Sequence, residues 1–151
     1  HRGQQVAEAR GIIAIDNSKA TNPHAADSAL AGHDSVIWVA GGQLKGAEVD
    51  DLIARHANRL KAVALMGVDR NIIRESVEKH APGVPIFVTD DTDPQSAMDA
   101  VCAWAVTQAS SGDAIVLAPA AASLDMYTGM GQRGVLFAEL VSAHLGGVAP
   151  K

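Results

Sequence analysis

Asp16-Asn17-Ser18-Lys19-Ala20-Thr21-Asn22-Pro23 crowds a lysine, two hydroxyls and several acid or amide groups into eight consecutive residues. The run follows an apolar stretch at residues 11–15 and closes on Asn-Pro, a helix-start signal. Asn22 has the side chain to cap free backbone N–H groups, and Pro23 fits a first helical turn, where a missing N–H is no loss. A strand that hands over to a helix in this way builds an anion site, because exposed N–H groups and the helix dipole both favour negative charge.

Two further loops carry similar chemistry. Gly41-Gly42-Gln43-Leu44-Lys45-Gly46 combines glycines, which let backbone approach a ligand, with one cation. Residues 118–125 hold Ser123 and Asp125. Lys19 and Lys45 as cations, with Thr21 and Ser123 as hydroxyl donors, suit a small ligand bearing carboxylates or phosphates. On spacing alone, three solvated loops read equally well.

These loops need elements to position them. Residues 5–8 and 12–15 read as a hairpin around Ala9-Arg10-Gly11. A helix is expected over 23–31, stopped by Gly32. The continuous apolar run 36–40 reads as a strand buried on both faces. From Ala47 the period becomes helical, with a stripe of Val49, Leu52, Ile53, Ala57 and Leu60. A strand over 62–66 follows, then a helix capped by Asp69 with the stripe Ile72, Ile73, Val77 and Ala81. Residues 85–88 and 114–117 read as strands. Between them Asp93-Pro94 opens a helix through Met98, Val101, Cys102 and Ala105. A loop over 119–131 leads to a last helix over 134–145, ended by Gly146-Gly147. Alternating strands and helices predict one α/β domain over 1–151: a Rossmann-like three-layer α/β/α unit, whose mostly parallel sheet of about six strands carries an N-terminal hairpin. Ligands then belong beyond the carboxyl ends of the strands.

Composition narrows the function classes. The chain has 151 residues, 48% of them hydrophobic and 19% charged, with a net charge of −5. That is a globular composition with no basic face for nucleic acid. The lone Cys102 excludes an internal disulfide and reads as core, in keeping with a reducing cytoplasm. No apolar run is long enough to span a membrane. The sequence has no G-x-x-x-x-G-K-[ST] phosphate loop, no C-x-x-C and no His pair at metal spacing, so no metal site is expected. His24, His33, His56, His80 and His144 read as surface or packing residues. Gly129-Met130-Gly131-Gln132-Arg133-Gly134 matches G-x-G-x-x-G but lacks the preceding strand and the strand and acid that should follow, so dinucleotide binding is not expected. The chain opens on His1-Arg2 rather than methionine, which reads as a processed chain or a piece of a longer one.

Asp16 to Asn22 closely resembles a signature of the Mur ligases, the bacterial peptidoglycan-precursor enzymes. Trp38-Val39-Ala40-Gly41-Gly42-Gln43-Leu44-Lys45-Gly46 is similar to the second signature of the D-glutamate-adding members. Leu117-Ala118-Pro119-Ala120-Ala121-Ala122-Ser123-Leu124-Asp125, followed by Gln132-Arg133-Gly134, is similar to their C-terminal signature, and His1-Arg2 resembles the family's His-Arg step. Three motifs in register over nearly the whole chain point to the C-terminal domain of such an enzyme. The N-terminal UDP-binding and central ATP-binding domains would lie outside this chain.

The resemblance implies an ATP-dependent amide ligation in the bacterial cytoplasm, with ATP and Mg2+ bound mainly by the central domain. The carboxylate of UDP-N-acetylmuramoyl-L-alanine is phosphorylated, and D-glutamate attacks the acyl phosphate. By motif, Thr21, Lys45, Ser123 and Leu124 would hold D-glutamate, and Lys19 would act at the transferring phosphate. Arg2, Asp16 and Asn17 would face the nucleotide. This chain alone would be inactive. Two positions depart from the pattern. Asn17 stands where the family usually has an acid, and Met130 where it often has an aromatic, with Tyr127 nearer Ser123. Other readings are a stand-alone small-molecule-binding module and the C-terminal domain of another Mur ligase or of a folylpolyglutamate synthetase.

Overall fold

The computed structural model describes residues 1–146. Gly147, expected to end the last helix together with Gly146, lies outside the described residues. The elements run β1 (Gln4–Ala9), β2 (Ile12–Asp16), α1 (Pro23–Ala31), β3 (Val36–Ala40), α2 (Asp50–His56), β4 (Leu60–Leu65), α3 (Arg70–His80), β5 (Ile86–Val88), α4 (Pro94–Gln108), β6 (Ala114–Leu117) and α5 (Met130–Leu145). They form a six-stranded sheet of order β1-β2-β6-β3-β4-β5. Among the six described strands the β1–β2 hairpin pairs antiparallel and the other pairings are parallel.

Two cores explain why the central strands β3 and β6 are apolar at every position. Trp38, Ala40, Val63, Leu65 and Val116 pack towards Leu30, Ile53, Ile73 and Val77 of α1, α2 and α3. Ile37, Val39, Ala62, Ala64, Ile115 and Leu117 pack towards Met98, Val101, Cys102, Phe137 and Val141 of α4 and α5. Successive strand residues therefore serve opposite layers, and each helix layer covers one face of the sheet. Two helix starts form as their sequence predicts: Asn22 Oδ1 accepts from Ala25 N, and an Asp93 side-chain oxygen accepts from Ser96 N, both at 2.9 Å. At the other end of α5, Gly146 takes the left-handed φ of 71° that makes glycine a natural helix stop.

Four expectations need correction. Helix α2 ends at His56, and Leu60 opens β4 opposite Val36, because strand pairing claims that leucine before the helical stripe can. Asp69 does not cap α3 with its side chain; its carboxylate turns to the Lys45 loop instead. Ile72 is exposed rather than part of the buried stripe. Helix α5 begins at Met130, four residues before its expected start at Gly134, through the glycine-rich segment that read as a loop. His56 takes the packing role expected of it: it is buried and pairs with Asp27, tying α2 to α1.

Candidate functional site

Strand order brings the chemistry together. Strands β2, β6 and β3 are adjacent and parallel, so the segments leaving their carboxyl ends share one rim. Backbone hydrogen bonds lace these segments. Asn17 N donates to Leu117 O at 2.9 Å, and Ala120 N to Ala20 O at 2.9 Å. Gly41 N donates to Pro119 O at 3.0 Å, while Gln43 and Ala122 exchange N–H···O bonds of 2.9 and 2.8 Å.

A buried cation draws the first and third segments together. Arg133 is fully buried in α5. Its Nε donates to Ser18 Oγ at 3.0 Å, Nη2 to Ser18 O at 2.9 Å and Nη1 to Ala121 O at 3.1 Å. Ser18 Oγ donates in turn to Met130 O at 2.7 Å. Burial pushes the guanidinium down to about 10, so it stays charged at neutral pH. Among the described residues it forms no ion pair with a carboxylate, and its donors go to Ser18 and Ala121. Sequence reasoning placed Arg133 inside a signature without giving it work; an arginine one residue before a glycine on an apolar helix was the available signal.

The Lys45 loop is held from two sides. Asp69 Oδ2 accepts from Leu44 N at 2.7 Å, and Asp69 N donates to Gly42 O at 3.0 Å. Gly41 has φ 120°, and a Cβ there would fall 1.8 Å from Met66 O, so only glycine fits. Lys45 itself has φ 54°, in the left-handed region a lysine seldom adopts. Such a conformation persists where surrounding bonds over-determine it. On the far side, Asp125 accepts from Val68 N at 2.9 Å.

Each expected site residue has a definite place. Lys19 and Lys45 are exposed, Thr21 and Asn17 half-buried, and Ser123 buried at the rim. Among the described residues neither lysine forms an ion pair, and the Thr21 and Ser123 hydroxyls make no hydrogen bond. Leu124 is 67% exposed, a large apolar side chain left over the rim. Tyr127, the aromatic nearer Ser123 in sequence, is buried, and its hydroxyl donates to Pro94 O at 3.2 Å. Met130 also lies away from Ser123, for it lines a cavity of about 270 Å³ with His1, Arg2, Gln4 and Lys19. Asp16 is 1% exposed. Its Oδ1 accepts from Ser18 N at 2.9 Å, and its Oδ2 meets His1 Nδ1. Burial raises its carboxyl above the ordinary range, against the Ser18 bond and the Arg133 charge. Among the described residues no group of three or more His, Cys, Asp or Glu side chains could hold a metal. The rim therefore offers cations and hydroxyls to an anionic ligand, with its backbone already ordered.

The model of the family "Mur ligase, glutamate ligase domain" matches residues 1–121. A UDP-N-acetylmuramoylalanine--D-glutamate ligase of Corynebacterium diphtheriae is 68% identical over 145 residues, 96% of this chain. The enzyme of that name from Streptomyces avermitilis is 48% identical over 141 residues, 93% of this chain. The chain spans about 30% of the length of each. Among solved structures, a domain assigned to a UDP-N-acetylmuramate:L-alanyl-gamma-D-glutamyl-meso-diaminopimelate ligase of Haemophilus ducreyi superposes with a TM-score of 0.62. It covers 95% of this chain and 99% of its own at 16% identity, a likeness of fold. The UDP-N-acetylmuramate-alanine ligase of Thermotoga maritima matches with a TM-score of 0.55 at 14% identity, over 94% of this chain and 30% of its own. By the family match over most of its length, the chain belongs to the glutamate ligase domain family of the Mur ligases.

Proposed function

We propose that this chain is the C-terminal, amino-acid-holding part of an ATP-dependent ligase that joins D-glutamate to UDP-N-acetylmuramoyl-L-alanine. The observation that carries the reading is the laced rim, where the side-chain polar groups of Lys19, Thr21, Lys45 and Ser123 have no internal partner among the described residues. The names of the relatives supply the substrate. D-glutamate is an amino dicarboxylate, and two separated anionic groups call for donors at two points. Thr21, Lys45, Ser123 and the backbone at Leu124 supply them from three segments. Lys19 lines the cavity with Arg2 and faces the negative charge that develops as phosphate is transferred and released, where a fixed cation is worth most. Arg2 and Asn17 border the nucleotide, and Asp16 serves that corner from within by holding the Ser18 turn.

Mg2+ would neutralise phosphate charge during transfer. The donor set here does not fit it: the nearest buried carboxylate, Asp16, has both oxygens engaged within the chain. Its ligands would come from parts of the ligase beyond these residues. ATP, UDP-N-acetylmuramoyl-L-alanine and the other domains of the ligase are the proposed partners, in the bacterial cytoplasm. No helix among the described residues is long and apolar enough to cross a membrane.

The test is kinetic, on the full-length ligase. Lys45→Ala removes a charge-assisted contact worth roughly 1.5–3 kcal/mol, so kcat/KM for D-glutamate falls at least about tenfold. The KM for ATP stays near its parent value. Unchanged D-glutamate kinetics with weakened ATP binding would reverse the assignment. Absence of D-glutamate-dependent phosphate release from the parent enzyme would end it.

A further inference from the structure

We propose that His1 accepts the proton of the attacking amine and that Asp16 holds its ring for that purpose, an inference that rests on the ligase reading above. Asp16 ends β2 and is 1% exposed. One carboxylate oxygen is needed locally, as acceptor for Ser18 N. The other has no backbone partner and meets His1 Nδ1. A buried carboxylate on one ring nitrogen keeps the proton there and leaves Nε2 with its lone pair, ready to accept.

The fold reserves room for this pair. A Cβ on Gly134 would stand 2.2 Å from His1 Nδ1 and 2.7 Å from Asp16 Oδ2. Glycine inside a helix costs about 1 kcal/mol relative to alanine; here it lets α5 close over the pair. The imidazole is not sealed in. Its side chain is 32% exposed and lines the cavity shared with Arg2, Lys19 and Met130. The charged groups around it are Asp16 from β2, Arg2 beside it and Lys19 from the following turn, with Arg133 of α5 acting on Asp16. Arg2 and Lys19 line the same cavity, and Asp16 keeps the ring oriented.

The step balances. The ammonium of the amino acid gives one N–H proton to His1 Nε2. The freed nitrogen lone pair attacks the acyl carbon, forming the C–N bond. The C–O bond to phosphate then breaks, phosphate leaves with the electron pair, and the second N–H proton passes from the new C–N nitrogen to the departing phosphate, leaving a neutral amide. The proton on His1 passes to solvent.

Hydroxylamine, largely unprotonated near neutral pH, captures an acyl phosphate without help from a base and so separates this role from a structural one. In the full-length ligase, His1→Gln should slow D-glutamate ligation by about 100-fold. Hydroxamate formation from UDP-N-acetylmuramoyl-L-alanine, ATP and hydroxylamine should continue at the parent rate. The acid limb of kcat against pH should vanish in His1→Gln. In Asp16→Asn it should move to lower pH with a smaller loss of rate. Equal loss of ligation and hydroxamate formation in both variants would overturn the proposal, assigning the pair to phosphate transfer or to folding. Parent-like ligation by His1→Gln would overturn it as well. A parent enzyme that makes no hydroxamate and shows no dependence on D-glutamate would instead refute the ligase reading beneath it.

Discussion

Replacing Arg133 by methionine keeps most of its volume and removes the three donors that join the Ser18 and Ala121 segments. Two buried carbonyls, Ser18 O and Ala121 O, lose the donors now 2.9 and 3.1 Å away. Each unsatisfied group costs about 1–3 kcal/mol. Part of that is offset because the charge is no longer buried. A net loss of about 3 kcal/mol follows, a large share of the roughly 5–15 kcal/mol that holds a domain together. For a chain of this size it corresponds to a fall in Tm of roughly 6–12 °C. Thermal and urea unfolding of the 151-residue chain measure it. Ser18→Ala alone should cost about 1 kcal/mol, and the double variant should show a coupling of about 1 kcal/mol or more, since the two side chains share a bond. A loss under 1 kcal/mol for Arg133→Met, or a coupling near zero, would show that the segments hold their places without the guanidinium.

Two shorter predictions follow from other contacts. Gly134→Ala sets a Cβ against both the His1 ring and the buried Asp16 carboxylate, so Tm should fall despite the gain in helix propensity, and the His1 ring is expelled from Asp16; D-glutamate ligation by the full-length enzyme should fall as in His1→Gln, while hydroxamate formation is kept. Asp27 is held below the ordinary carboxylate range by its hydrogen bond with His56 first and by Arg55 beside it, so its contribution is present above the unfolded value near pH 3.9 and lost as pH falls through the lower folded value. Asp27→Asn should therefore flatten the acid end of the stability–pH curve of this chain, and an unchanged acid slope on urea unfolding would refute the pairing.

The fold was legible because its elements are local. Asn22-Pro23 and Asp93-Pro94 mark helix starts through contacts within four residues. The all-apolar strand 36–40 admits one reading in a doubly covered sheet. What escaped was non-local. Leu60 reads as a helical stripe position until Val36 pairs with it, and Asp69 reads as a cap until Leu44 N takes its carboxylate. At the site, the three loaded segments could be found from residue type, since lysines, hydroxyls and glycines in strand-end loops carry their own chemistry. Arg133 and His1 could not, because Ser18, which takes two of the Arg133 donors, lies more than a hundred residues away, and Asp16 lies across β1 from His1. Helix α5 hid its first turn for a related reason: Gly131 and Gly134 lower local propensity, and the anchor that outweighs it, the Arg133 bonds to Ser18, is distant in sequence.

The sheet order has a consequence for the order of events during synthesis. Strand β6 is the last of the described strands to be made, and it lies between β2 and β3. Before it emerges, the chain holds two separate pieces, the β1–β2 hairpin and the β3-β4-β5 ribbon, each with an open edge. Open edges invite pairing with other chains, so the nascent chain is most exposed to aggregation just before residues 114–117 leave the ribosome. The rim is also incomplete until then, for Thr21 and Lys45 have no common frame while β2 and β3 are unjoined. A ribosome stalled before β6 therefore carries a chain that has made both lysines of the site and has no site, and capture of the ligand can begin only after the final strand is inserted.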